Sequence, residues 1–144
     1  MSENLSLKSF VVLMKASKTL EEMVKKDIAA HGMKLSDFSI LEALYHKGRQ
    51  TIKQISEAVL INTGSITYVI DKLEKNELLR RTNCKDDRRV IYIEITDKGK
   101  EVMNEVFPKH QARIEEVFEG ISEEHKEILI ETIKTVGKRA GDLV

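Results

Sequence analysis

Apolar residues recur at helical spacing over most of this chain and at strand spacing in one short stretch. From Leu5 to about His31 they fall at Phe10, Leu13, Met14, Leu20, Val24 and Ile28, which predicts a long amphipathic helix. Gly32 then suits a left-handed cap. Ser36 reads as the N-cap of a second helix that turns Phe38, Leu41, Leu44 and Tyr45 inward and stops at Gly48. Thr51 and Gln54 have the spacing of a capping box and open a short helix with Ile52, Ile55 and Val59 on one side. A break at Leu60-Ile61-Asn62-Thr63 leads into a further helix that buries Ile66, Val69, Ile70 and Leu73. Two short helices joined by a tight turn form a helix-turn-helix, or equally two packed helices of a bundle.

The next stretch separates those alternatives. Leu78-Leu79-Arg80-Arg81 begins an extended segment. Val90 to Ile95 alternates with period two, placing Ile91, Ile93 and Ile95 on one face and Val90, Tyr92 and Glu94 on the other. The polar run from Asn83 to Arg88 supplies the turn. A bundle has no use for such a hairpin, whereas a winged helix requires it. Thr96-Asp97 caps another helix with Val102, Met103, Val106 and Phe107 on its buried side, which Pro108 kinks or divides. Ile114, Val117 and Phe118 continue the stripe to Gly120. Ser122 starts a last helix carrying Leu129, Ile133, Val136 and Ala140.

The predicted fold is therefore mainly α with a small β-hairpin wing, in one domain spanning residues 1–144. Residues 33–98 form the winged helix-turn-helix, and residues 5–31 and 99–144 form flanking helices. The apolar stripes of those helices exceed what one small winged unit can cover, so they predict a homodimer.

Charge sharpens this picture. The chain is neutral overall, with 24 basic and 24 acidic residues. From Lys72 to Arg89, however, seven Lys/Arg stand against four Asp/Glu, while Glu115 to Glu131 holds seven Glu and one Lys. A locally positive face on a neutral molecule can attract phosphates, although helices also carry solvated charge of one sign. The absence of a long apolar run and of a signal-peptide layout predicts no membrane partner, and a single Cys fits a reducing cytoplasm.

With Ile66, Val69, Ile70 and Leu73 facing the core, Gly64, Ser65, Thr67, Tyr68, Asp71 and Lys72 face outward on what would be the recognition helix. Gly64 permits close backbone approach to a duplex. Ser65 and Thr67 can hydrogen-bond bases or phosphates, Tyr68 can pack on thymine methyls, and Lys72 can reach the backbone. In the hairpin, Lys85, Arg88 and Arg89 suit a minor groove, with Asp87 able to orient a guanidinium. Arg80 and Arg81 suit phosphates. The implied partner is double-stranded DNA. A winged module that binds protein instead remains the alternative.

Other chemistry is weakly supported. No nucleophile elbow, phosphate loop or metal motif brings Ser, His and Asp together, so neither catalysis nor a cofactor or metal is predicted. Cys84 has Lys85 and Arg88 nearby, which favours thiolate and admits a redox switch, or leaves an incidental exposed thiol. Met14, Phe38, Tyr45, His46 and His110 are candidates to line an effector pocket, or are ordinary core and surface residues.

These residues resemble the MarR family of bacterial transcriptional regulators. The matches are Ser65-Ile66-Thr67 through Asp71-Lys72-Leu73-Glu74-Lys75, and Asp87-Arg88-Arg89-Val90 leading to Ile95-Thr96-Asp97-Lys98-Gly99. The resemblance implies a cytoplasmic homodimer bound to a pseudopalindromic operator, repression as the default, Asp87 paired with Arg89, and Arg89 in the minor groove. It also implies a cleft that senses phenols or oxidants. Gly64 to Val69 and Phe107-Pro108-Lys109-His110 are similar to the quinone-responsive, MhqR-type branch. Members that sense peroxide place a reactive Cys in the first helix, where this chain has Ala16 and Ser17. Two departures bear on the site. Tyr68 stands where many members carry Arg, so base preference does not transfer. Glu77 stands where the family usually has Gly, which predicts that Asn76 takes the left-handed conformation and closes the turn.

Overall fold

The computed structural model describes residues 3–59 and 65–144. Among them, six helices and one hairpin follow in the order α1 (Leu5–Ala29), α2 (Leu35–Lys47), α3 (Ile52–Ala58), α4 (Ile66–Lys75), β1 (Leu79–Asn83), β2 (Ile91–Ile95), α5 (Asp97–Val117) and α6 (Glu123–Asp142). The expected mainly helical fold with a hairpin wing is observed. The turn expected over residues 60–63, and Gly64 after it, lie outside the described residues.

The chain divides into two compact units, residues 1–110 and 111–144. The core of the first unit draws Ile28 from α1, Ile40, Leu41 and Leu44 from α2, and Ile55 from α3. It is completed by Ile70 and Leu73 from α4, Leu79 and Ile93 from the hairpin, and Met103 from α5. These are the inward positions of each amphipathic pattern, and their burial drives the assembly of otherwise marginal short helices. In the second unit, α6 buries none of its residues and exposes Ile128, Leu129, Ile130, Ile133 and Val136. On α1, Leu5, Leu7, Phe10, Val11, Val12 and Met14 are likewise exposed.

Local chemistry explains most element boundaries. Asn4 caps α1 through the Leu7 N–H, and the Thr51–Gln54 capping box forms in both directions. Gly32 and Gly48 both adopt positive φ of 76°, the left-handed conformation that glycine tolerates best. Two expectations are corrected. Helix α2 begins at Leu35 with Lys34 at its cap and no side-chain cap bond, so Ser36 lies inside the first turn. Helix α5 runs unbroken from Asp97 to Val117 with Pro108 inside it, so Pro108 does not divide it. Ile91 shares the face of Ile93 and Ile95, as expected, but is exposed, because it pairs with Asn83 at the far end of the hairpin, beyond the core that covers the other two.

Candidate nucleic-acid interface

Helix α4 is built to present its first turn. Ser65 is its N-cap, accepting from the Tyr68 N–H at 3.4 Å and leaving its own hydroxyl proton free to rotate outward. Val69, Ile70 and Leu73 anchor the opposite face in the core. Thr67 is exposed and Tyr68 is 67% exposed, an unusual position for a large aromatic. Lys72 does not extend freely: its Nζ lies 2.9 Å from Asp37 Oδ1 on α2, so a phosphate would compete with that carboxylate.

The turn from α4 into the hairpin is closed by Glu77 itself, at φ 63°, while Asn76 sits at φ −86°. The expected left-handed Asn76 is therefore replaced by a left-handed Glu77, one residue later. The Leu78 N–H reaches Leu73 O, satisfying a terminal carbonyl of α4. Thr96 Oγ1 donates to Glu77 O at 2.6 Å, accepts from the Gly99 N–H, and so joins this turn to the start of α5. Lys98 Nζ adds a bond to Asn76 O. Gly99 is buried, and a Cβ there would meet Leu78 O at 2.2 Å. Close approach, rather than φ, requires glycine at this point.

Strands β1 and β2 pair antiparallel, with Arg80 opposite Glu94 and Arg81 opposite Ile93. The expected Asp87–Arg89 pair forms. Asp87 Oδ1 accepts from the Arg89 N–H at 3.0 Å and from Nε at 3.1 Å, and Oδ2 accepts from Nη2 at 3.3 Å. These bonds hold the Asp87 carboxyl below its usual range, the Arg89 side chain contributing most. The Arg89 side chain is nonetheless 92% exposed, a charge aimed at solvent and steadied from behind. Lys85 and Arg88 are exposed beside it. Cys84 is half-buried, with its N–H on Val90 O. Arg80 pairs with Glu94 across the strands at 3.3 Å.

Sequence reasoning missed two residues that fix the wing to the helices. Gln50 exchanges backbone hydrogen bonds with Ile93, at 3.0 and 2.7 Å, and its side chain donates to Ala43 O and Gly48 O. Arg49 stacks over the Tyr92 ring at 4.5 Å. A lone Gln between two helices gives no periodic signal, so nothing in the sequence marked it. An open, polar depression of about 390 Å³ lies alongside, lined in part by Lys47, Arg49, Gln50 and Gln54.

Four of the five candidate pocket residues fall in one ring cluster, three of them against Phe107 and Phe38 against His110. The His46 and Phe107 rings lie 4.5 Å apart and Phe38 and His110 4.9 Å apart, with Tyr45 against both His46 and Phe107. The Tyr45 hydroxyl donates to Asn104 Oδ1. Glu42 Oε2 lies 3.8 Å from His110 Nε2, and burial raises its pKa while His110 and His46 partly offset the rise. Among the described residues, the buried Nδ1 of His110 has no hydrogen-bond partner. Met14 is 54% exposed on α1, and none of these ring contacts involves it. Among the described residues no group of His, Cys, Asp or Glu could hold a metal ion, and no helix is long and apolar enough to cross a membrane.

A model of the MarR family matches residues 33–91. The HTH-type transcriptional regulator MhqR of Bacillus subtilis is 45% identical over 135 residues, covering 94% of this chain and 93% of its own. The crystal structure of AbsC, a MarR family regulator from Streptomyces coelicolor, superposes with a TM-score of 0.85 at 22% identity, covering 99% of this chain and 98% of that one. Sco3205 from the same organism, solved in complex with DNA, superposes with a TM-score of 0.81 at 22% identity, covering 96% and 89%.

Proposed function

This chain belongs to the MarR family of transcriptional regulators, and from that premise we propose that it acts as a homodimeric repressor of a pseudopalindromic operator, released by a phenolic or quinone-like effector. Residues 33–98 make the DNA contacts, and residues 5–31 and 99–144 make the association between copies. The observation that carries the reading is the pairing of two outward-facing elements. One is the first turn of α4, with Tyr68 exposed, and the other is a wing whose Arg89 is oriented by Asp87 yet almost wholly in solvent.

Gly64, Ser65, Thr67 and Tyr68 enter the major groove and Arg89 the minor groove, while Arg80, Lys85 and Arg88 neutralise phosphates. Association is supported by the rows of apolar residues that α1 and α6 each leave exposed, since apolar surface is costly in water. Phe38, Tyr45, His46, Phe107 and His110 offer an aromatic lining suited to a flat ring, with Tyr45 and His110 able to meet a hydroxyl.

Fluorescence anisotropy on a duplex from the region upstream of the protein's own gene, titrated across salt, tests the reading. Each neutralised phosphate steepens the log–log salt dependence by ~0.9. Binding that is absent, or indifferent both to salt and to Arg89→Ala, refutes it. Adding a quinone to the wild type and to Cys84→Ser separates pocket sensing from thiol modification: continued release by the variant assigns sensing to the aromatic cluster.

A further inference from the structure

The interface contains one arginine whose surroundings contradict the role its position suggests. Arg81 lies on the wing's first strand beside Arg80, and strand alternation separates them. Arg80 pairs with Glu94 and keeps 60% of its side chain in solvent. Arg81 sits opposite buried Ile93, turns toward α4, and is 28% exposed. There its Nη2 bonds Asp71 Oδ1 and its Nη1 bonds Glu74 Oε1. Glu74 Oε2 also accepts the Arg81 N–H at 3.2 Å, so one carboxylate grips both the backbone and the side chain of the strand.

Asp71 and Glu74 are three residues apart on one face of α4, the spacing at which two helical side chains can hold a single planar fork. The hydrogen bond to Asp71, more than any other influence, raises the Arg81 pKa. The cluster combines one guanidinium with two carboxylates and so carries more negative than positive charge. A phosphate approaching it meets repulsion.

We propose that Arg81 is a positioning residue: it locks the recognition helix to the wing and takes no phosphate. The inference rests on the DNA-binding reading above and assigns a different job to one member of the basic stretch. Helix and wing are two binding elements on one chain, and their joint affinity depends on whether both can engage at once. The Asp71–Arg81–Glu74 clamp spans the turn at Glu77 and fixes that geometry.

Operator affinity and its salt slope, measured for Arg81→Gln and Asp71→Asn against Arg88→Gln, test the assignment. Wild-type binding and slope, measured alongside, decide the DNA-binding reading independently. Arg81→Gln is expected to weaken operator binding about tenfold with the salt slope unchanged and with smaller loss on unrelated duplex, because rigid joint engagement is what is lost. Arg88→Gln is expected to flatten the slope by ~0.9. Asp71→Asn is the sharper variant, since it keeps the guanidinium but loosens the clamp. Weaker operator binding supports the assignment. Tighter binding, from an arginine released toward phosphate and a repelling charge removed, overturns it. So does a slope that flattens by ~0.9 in Arg81→Gln, or operator affinity unchanged in both variants. Measurement well below each variant's thermal midpoint excludes loss of fold as the cause.

Discussion

Glu77 should be a net cost to this fold, and replacing it with glycine should stabilise the protein. Its backbone is held at φ 63°, the conformation in which Cβ crowds the following carbonyl. An L-residue pays roughly 1–2 kcal/mol there. Glycine removes that strain but gains freedom in the unfolded chain, which offsets roughly 0.5–1 kcal/mol. The net expectation is about 0.5–1 kcal/mol of added stability, or about 2–3 °C in Tm for a chain of this size. The turn's other supports are backbone acceptors that glycine keeps: Glu77 O receives Thr96 Oγ1, and Asn76 O receives Lys98 Nζ. The assay is thermal and urea unfolding followed by circular dichroism at one fixed protein concentration, since association would shift the midpoint with dilution. Glu77→Ala serves as the control, because it trims the side chain without relieving the backbone. If Glu77→Gly destabilises the protein, or if Glu77→Ala stabilises it equally, backbone strain is not the operative term and the reasoning fails.

Other substitutions probe neighbouring features. Gly99→Ala should lose about 1–3 kcal/mol in urea unfolding, because its Cβ would overlap a backbone carbonyl that cannot swing aside. Thr51→Ala removes the cap of α3 and should cost about 1 kcal/mol by the same measurement, with no loss expected from Lys53→Ala beside it. Glu42 has a folded-state pKa above its ordinary 4.5, so the native state favours its protonated form, and its contribution to stability falls as pH rises through that raised value. Glu42→Gln should therefore raise Tm at pH 8, where the buried side chain must carry charge, and raise it less as pH falls toward 4.5 and the carboxyl takes up a proton. An equal shift at both pH values would mean that burial does not disfavour the charged form of Glu42.

Periodicity made the helices and the hairpin legible, because each has one face that must leave water. The pairing of Asp87 with Arg89 came from the resemblance to the MarR family, not from periodicity, and the structure shows it. What periodicity did not reveal were relations fixed by tertiary proximity. Lys72 and Arg81 looked like free cations in sequence, yet Asp37, Asp71 and Glu74 occupy them across element boundaries. The left-handed residue was expected at Asn76, by propensity. The hydrogen bonds that end α4 and the Thr96 hydroxyl select Glu77 instead. Gln50 left no trace in the pattern because its role is a single β-bridge. The grouping of Phe38, Tyr45, His46 and His110 was anticipated, but Phe107, the ring that joins three of them, had been read only as core.

The bridge between Gln50 and Ile93 determines where the wing can move. Two reciprocal backbone bonds and a buried side-chain amide tie the middle of β2 to the loop after α2, while among the described residues the hairpin's far end, at Asn83 and Ile91, pairs with its own partner strand alone. Amide hydrogen exchange should follow that asymmetry, slow at Gln50 and Ile93 and progressively faster toward Lys85. The wing is thus a finger stiff at the knuckle and loose at the nail. Its tip can search a groove on fast timescales without any opening of the domain that carries it.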